Sequence, residues 1–105
     1  MIGKYDHFGV PTTKKNEKET LYGDIKTYAT SPDDHAFRVE FLRFEEGCPL
    51  PKELQTMCHT AFIVDDLAEA MKGYKVIVEP FKVTETLECA FIMDDNALIE
   101  LMQTS

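Results

Sequence analysis

Apolar and polar positions divide the second half of the chain into short segments of strand length. Cys58–Val64 (CHTAFIV) and Tyr74–Glu79 (YKVIVE) are apolar runs with the length of strands, and Pro80 is expected to end the second run. Phe81–Met93 supplies further strand, and Ala97–Gln103 (ALIELMQ) is a continuous apolar run around one carboxylate. The pattern therefore predicts four strands in this half of the chain.

A short helix is predicted between the first two of these strands, at Leu67–Lys72. Asp66 is suited to the N-cap because its side chain can accept from the N–H of Glu69, three residues on. Gly73 is suited to the position after the helix, which often has positive φ. The turn signal Asp94-Asp95-Asn96 then leads into the last strand. The second half is thus predicted as strand, helix, strand, strand, strand.

The first half carries a similar but weaker pattern. Its residues 14–20 (KKNEKET) are polar throughout and are predicted to form a loop or at most one turn of helix. Residues 31–34 (SPDD) have the composition of a turn, and residues 45–56, which contain glycine and two prolines, are expected to connect the halves. The predicted strands are Lys4–Thr12, Leu21–Thr30 and Ala36–Phe44.

Two glutamates lie at the centre of apolar strands. Glu100 is in the last strand, and Glu40 is in the run Arg38–Phe44 (RVEFLRF). A buried carboxylate is costly unless a cation or a hydrogen-bond donor holds it. Glu40 has a simpler alternative, an ion pair with Arg38 or Arg43 on an exposed sheet face. The sequence near Glu100 offers no cation.

A histidine begins the first strand of each half, His7 in one and His59 in the other. The next residue on the same face is very small in both cases, Gly9 or Ala61. Each half then ends on a strand with a central glutamate, 33 residues on from position 7 to 40 and 41 residues on from position 59 to 100. The shorter spacing fits the loss of a two-turn helix, so we interpret the halves as an internal repeat with one degenerate copy.

The four residues of this repeat, His7, Glu40, His59 and Glu100, form a candidate site for a divalent cation. Imidazole and carboxylate ligands suit zinc, nickel, iron, manganese or cobalt better than calcium or copper(I). Two carboxylates would neutralise a 2+ ion, which would offset the cost of burying them. Taken singly, each histidine has an ordinary alternative, a surface position for His7 or a bond to the backbone for His59.

Other candidate residues carry weaker signals. His35 follows Asp33-Asp34 in a predicted turn, where a solvated loop is the simpler interpretation. The cysteines at positions 48, 58 and 89 lack CxxC spacing and are odd in number, which favours reduced thiols and a cytoplasmic location over a disulfide framework or a zinc site. The N-terminus has no signal-peptide pattern, and no apolar run reaches the ~20 residues needed to cross a bilayer.

Composition narrows the class of protein. The chain has 105 residues, which suits one compact domain, and 44% of them are hydrophobic, too many for a disordered protein. The net charge of −8 argues against a nucleic-acid or anionic-membrane partner, since both would require a basic patch.

These motifs resemble the vicinal oxygen chelate superfamily, which includes glyoxalase I, methylmalonyl-CoA epimerase, bleomycin-resistance proteins and extradiol dioxygenases. The segments that carry the resemblance are CHTAFIVDDLAEAMKG, VIVEPF and ALIEL, in that order. The resemblance implies an α+β fold in which two βαβββ modules form a cupped open barrel, here with the helix of the first module reduced or lost. Residues 1–105 would be a single domain, with module one at about 1–47, a linker at about 48–56 and module two at about 57–105.

The resemblance also implies a site and an activity. In glyoxalase I-like proteins the ligand positions correspond to His7, Glu40, His59 and Glu100, with zinc, nickel, cobalt or manganese as the metal. The expected function is a metal-dependent lyase or isomerase that acts on a small carbonyl or thioester through an enediolate-type intermediate, with Glu100 or Glu40 as the base. The alternative is a non-catalytic small-molecule-binding protein of the same fold, as in drug resistance. Exposed sheet edges favour a homodimer.

Overall fold

A computed structural model of the protein describes residues 3–105, and these residues form eight strands of a mixed sheet together with short helices. This arrangement confirms the α+β class. The strands are β1 (Gly3–Pro11), β2 (Thr20–Tyr22), β3 (Thr27–Ala29), β4 (Val39–Phe44), β5 (His59–Val64), β6 (Lys75–Thr84), β7 (Leu87–Asp94) and β8 (Ala97–Thr104). The α-helices are α1 (Lys52–Thr56) and α2 (Leu67–Met71), and 3-10 helices form at Gly23–Ile25 and Pro32–Asp34.

The chain divides into two compact units, one of residues 7–58 and one of residues 59–105 with the described residues up to Asp6. Within the second unit the strand order is β5-β8-β7-β6. Strand β5 runs parallel to β8, whereas β8, β7 and β6 pair antiparallel as successive hairpins. This order places β8 between β5 and β7, so its central residues can be buried on both faces.

Helix α2 covers one face of the second unit. Its Leu67, Ala70 and Met71 are buried against residues of β5, β7 and β8, among them Leu101. Because side chains alternate along a strand, Leu101 and Glu100 point to opposite faces of β8. The apolar core under α2 therefore lies on the face of the sheet opposite the glutamate.

The predicted caps of α2 are confirmed. The Asp66 side chain accepts a hydrogen bond from the N–H of Glu69 at 3.1 Å, which satisfies one of the donors left open at the start of the helix. Gly73 has a φ of +83°, a conformation that costs glycine little because it has no Cβ. The short helix thus begins and ends where local side-chain chemistry predicts.

Strand β6 departs from the sequence expectation, because it continues through Pro80. The pairing shifts between Val78, opposite Phe91, and Phe81, opposite Cys89, so that β6 contains one more residue than β7 across this step. Such a β-bulge leaves one residue out of the ladder, and β6 is also the last strand in the order of its sheet. A proline without an N–H is tolerated there, since edge strands and bulges need not donate at every position.

In the unit of residues 7–58 the strand order is β2-β3-β4-β1, with β1 parallel to β4. The single strand predicted for Leu21–Thr30 is wrong, because a 3-10 turn divides it into β2 and β3. Lys26 has a φ of 48° at the end of this turn, which reverses the chain so that β2 and β3 pair antiparallel. A loose apolar alternation did not distinguish one strand from a hairpin of two short strands.

The helices of this unit also differ in part from the expectation. Residues 12–38, all of which the structure describes, contain 3-10 turns and no α-helix, and the polar residues 14–20 form a loop up to the start of β2. The connection predicted for residues 45–56 contains α1, which begins after Pro51. Proline is favourable at a helix start because no intrahelical N–H is needed there. In the part of the chain that the structure describes, no helix has the length and apolar character needed to cross a membrane.

Candidate metal centre

A parallel strand pair carries a histidine and a glutamate in the unit of residues 7–58. In the register of β1 with β4, Gly9 lies opposite Glu40, two residues beyond His7. His7 is buried, and its Nε2 lies 3.4 Å from Oε1 of Glu40. The two residues whose sequence spacing suggested a repeat are therefore in contact through adjacent strands.

The same register occurs in the other unit. Ala61 of β5 lies opposite Glu100 of β8, two residues beyond His59. His59 Nε2 lies 3.1 Å from Glu100 Oε1, and both side chains are buried. Phe91 faces Glu100 on β7 and meets the His59 ring edge to face with the ring centres 5.2 Å apart. The imidazole thus contacts both a carboxylate and an aromatic ring.

The small residues Gly9 and Ala61 have a role that follows from this register. Each occupies the position directly beside the glutamate and is buried, with Ala61 fully inaccessible to solvent. A larger side chain there would fill the space across which the carboxylate reaches back to the histidine. The histidine, small residue and paired glutamate together form a local motif in each unit.

The four side chains lie close enough to share one ion. His7, Glu40, His59 and Glu100 each offer one ligand atom, and these atoms all lie within 4.8 Å of one another. Ligands at roughly 2.1 Å from an octahedral metal ion are about 3 Å apart when adjacent and about 4.2 Å apart when opposite, and around a tetrahedral ion every pair is about 3.4 Å apart. The His–Glu distances, 3.1 Å in one unit and 3.4 Å in the other, are close to the adjacent separation. The group could hold a metal ion.

The chemistry of the donor set fits a divalent cation of the transition series. Two imidazole nitrogens and two carboxylate oxygens are suited to zinc, nickel, cobalt or manganese. A 2+ ion would balance two carboxylates, which matters because Glu100 is only 9% exposed and charge burial is costly. The Glu40 side chain is more accessible, at 20% against 12% for Glu100, so Glu40 is the ligand nearer to solvent.

The arginines that could have paired with Glu40 have other carboxylate partners. Arg43 binds Glu19 through Nε at 3.2 Å and through a second bond from Nη2, and its guanidinium lies 4.0 Å above the Tyr28 ring. Arg38 Nη1 donates to Asp33 at 2.7 Å. Glu40 thus faces His7, while Arg43 lies on the other face of β4.

The weaker candidates are not members of the four-residue group. His35 accepts a hydrogen bond from the Phe37 N–H through Nδ1 in the loop before β4. Asp94 and Asp95 form the turn between β7 and β8, where Asp95 has a φ of 54°. The Cys48 thiol donates to the Ile25 carbonyl at 3.0 Å, which is a packing interaction.

One residue near the centre was not identified from the sequence. Phe91 lies in an apolar run in which nothing distinguishes it from its neighbours, and its place beside His59 depends on the β7–β8 register. The signal that could have identified it is the hairpin turn that ends at Asn96. Asp94 pairs with Ala97 across this turn, and counting three residues along each strand from that pair places Phe91 opposite Glu100.

Comparison of the chain with protein-family models gave no match, and comparison with curated proteins gave none either.

Proposed function

We propose that the protein binds a divalent metal ion through His7, Glu40, His59 and Glu100 and is a lyase or isomerase of the glyoxalase/epimerase kind. The observation that carries the proposal is the group of four ligand atoms within 4.8 Å of one another. The resemblance to the vicinal oxygen chelate superfamily supplies the reaction class. The substrate would be a small carbonyl compound or thioester.

The bound metal would supply Lewis acidity, which polarises a carbonyl and makes a neighbouring C–H more acidic. With four protein ligands, a six-coordinate ion would have two positions open to substrate oxygens. His7 and His59 would act as fixed ligands. Glu40 or Glu100 would take the proton as general base, a role that requires hydrogen-bond reach of the substrate carbon.

The surroundings of Glu100 favour this chemistry. Leu98 and Met102 share its face of β8, and Leu98 is buried. Electrostatic interactions are stronger in such apolar surroundings than in water. A carboxylate there would be held in place by β-sheet pairing on both sides, from β5 and from β7.

Metal content tests the binding part of the proposal. The protein is stripped with a chelator, incubated separately with zinc, nickel, cobalt and manganese, desalted, and assayed by elemental analysis. We expect about one ion per chain for the wild type and a large loss for His59→Ala. The matched control is His35→Ala, which removes a histidine outside the group and should leave the metal content unchanged. Absence of bound metal in the wild type after all four incubations would refute the proposal.

Solvent exchange tests the reaction class. Small ketones, hydroxy-aldehydes and acyl thioesters are incubated in D₂O with the metal-loaded protein, and loss of the proton next to the carbonyl is followed by NMR. Exchange that requires the metal and is lost in Glu40→Gln or Glu100→Gln would support a proton-transfer enzyme. Full exchange in a variant that carries both substitutions would contradict the assignment of Glu40 or Glu100 as the base.

A non-catalytic binding protein of the same fold is the second candidate. It is favoured by the lack of an α-helix in residues 12–38 and by the net charge of −8, which would attract cationic ligands. This function predicts that a cationic drug raises the melting temperature without proton exchange, and that Glu100→Gln keeps this response. The two experiments together therefore separate the enzyme from the binding protein.

A further inference from the structure

A groove lies on the side of β4 away from Glu40, within the unit of residues 7–58. Val39 and Phe41, which alternate with Glu40 along the strand, form part of its lining. The groove has a volume of about 80 Å³. In the unit of residues 59–105 the equivalent side of β8, away from Glu100, is covered by α2. The first unit thus has an open groove on the face where the second has a helix.

The lining of the groove combines an apolar surface with hydrogen-bond donors. Val39 and Phe41 provide the apolar part, and the ring of His35 packs against Phe41 with the ring centres 6.0 Å apart. Because His35 Nδ1 accepts from the Phe37 N–H, a neutral imidazole carries its proton on Nε2 and donates from there. Lys18 adds an ammonium group to the same lining.

Hydrogen bonds hold the wall that carries Lys18. The Lys18 N–H donates to the Asn16 side chain at 2.8 Å, and the Asn16 N–H donates to Glu19 at 3.3 Å. Arg43 in turn holds Glu19, and its guanidinium lowers the pKa of that carboxyl, so Glu19 stays ionised and bonded. This loop is therefore anchored to β4 although it has no regular secondary structure.

The opposite wall is held in a similar way. The Ser31 side chain accepts from the Asp33 N–H at 3.2 Å, and Asp33 accepts from Arg38 at 2.7 Å. Thr30, which lines the groove, is joined to Phe41 by its N–H and by its hydroxyl, which accepts from the Phe41 N–H. Both walls are thus formed before any ligand arrives, which reduces the entropic cost of binding.

We propose that this groove binds a small monocarboxylate, with the carboxylate bonded by Lys18 and His35 and its short alkyl part packed on Val39 and Phe41. The volume of about 80 Å³ is small beside the roughly 300–1,000 Å³ typical of pockets for drug-sized ligands, and it suits a ligand of acetate size. Asp34 also lines the groove, and its negative charge favours a singly charged anion over phosphate or sulfate. This proposal is independent of the metal centre.

An NMR titration of the chelator-treated protein tests the proposal. Sodium acetate is added to the ¹⁵N-labelled protein while sodium chloride keeps the ionic strength constant. We expect saturable shifts of the amide signals of residues 30–41. Lys18→Gln should weaken binding about 10-fold, the loss expected for one charge-assisted hydrogen bond. The matched control is Lys14→Gln, which removes an exposed lysine of the same loop outside the groove lining and should bind as the wild type does.

Three results would overturn the proposal. The first is a linear, non-saturable response to acetate in the wild type. The second is equal binding of acetate by Lys18→Gln and Lys14→Gln, which would mean that the affinity for acetate depends only on the net charge of the protein. The third is tighter binding of inorganic phosphate than of acetate, which would contradict the selection attributed to Asp34. Lys18 is exposed, so the variant is expected to fold, and its amide spectrum without acetate verifies this.

Discussion

Replacing Ala61 with valine tests the role of the small residue beside Glu100. Ala61 is fully buried and lies opposite Glu100 in the β5–β8 register, so the two added methyl groups would enter the space between the carboxylate and His59. Overpacking of this kind costs about 1–3 kcal/mol of folding free energy. It should also displace the Glu100 carboxylate from His59 Nε2, which lies 3.1 Å from its Oε1.

Ala90→Val is the matched control. Ala90 is also fully buried, but it lies in the apolar core under α2 and pairs with Leu101, on the face away from Glu100. Its replacement should cost a similar folding free energy of about 1–3 kcal/mol. The two variants therefore differ in where the methyl groups point rather than in how much stability they remove.

Thermal unfolding with and without metal distinguishes the two effects. A metal ion at 100 times its Kd stabilises the folded state by about 2.7 kcal/mol. In a domain of this size that corresponds to a rise in Tm of about 10–20 °C. We expect the full rise in the wild type and in Ala90→Val, and a much smaller rise in Ala61→Val. An equal rise in both variants would refute the proposed role of Ala61, and an equal loss in both would show that the rise depends on stability alone.

The remaining predictions concern stability. Because Arg43 lowers the pKa of folded Glu19, this carboxyl stabilises the fold above its ordinary pKa, and the contribution is lost as pH falls through the folded value. The stability difference between wild type and Glu19→Gln, measured by urea unfolding, should therefore shrink at acid pH; a constant difference would contradict this. Asp66→Ala should cost about 1 kcal/mol in the same assay by removing the N-cap bond, whereas Asp66→Asn should restore most of it. Leu101→Ala should cost about 2–5 kcal/mol through loss of core packing under α2, and a cost below 1 kcal/mol would contradict that packing.

Local chemistry determined the elements that were predicted correctly. The ends of α2 follow from the side chain of Asp66 and the positive φ of Gly73, both of which act over a few residues. The hairpin turn at Asp94–Asn96 and the apolar run of β8 are equally local signals. The misassigned segments needed information from elsewhere in the fold. Pro80 lies inside β6 because the strand is at the end of the sheet order, and no pattern around the proline indicates that position.

The four candidate ligands show the same division. The sequence by itself determined which residues to compare, because a histidine, a small residue on the same face and a mid-strand glutamate recur in the same order in both halves. Only the tertiary structure decided that each histidine contacts its own glutamate, through the pairing of Gly9 with Glu40 and of Ala61 with Glu100. The physical reason is that alternation along a strand specifies a face, whereas the neighbouring strand and its register depend on hydrogen bonds between segments far apart in the chain.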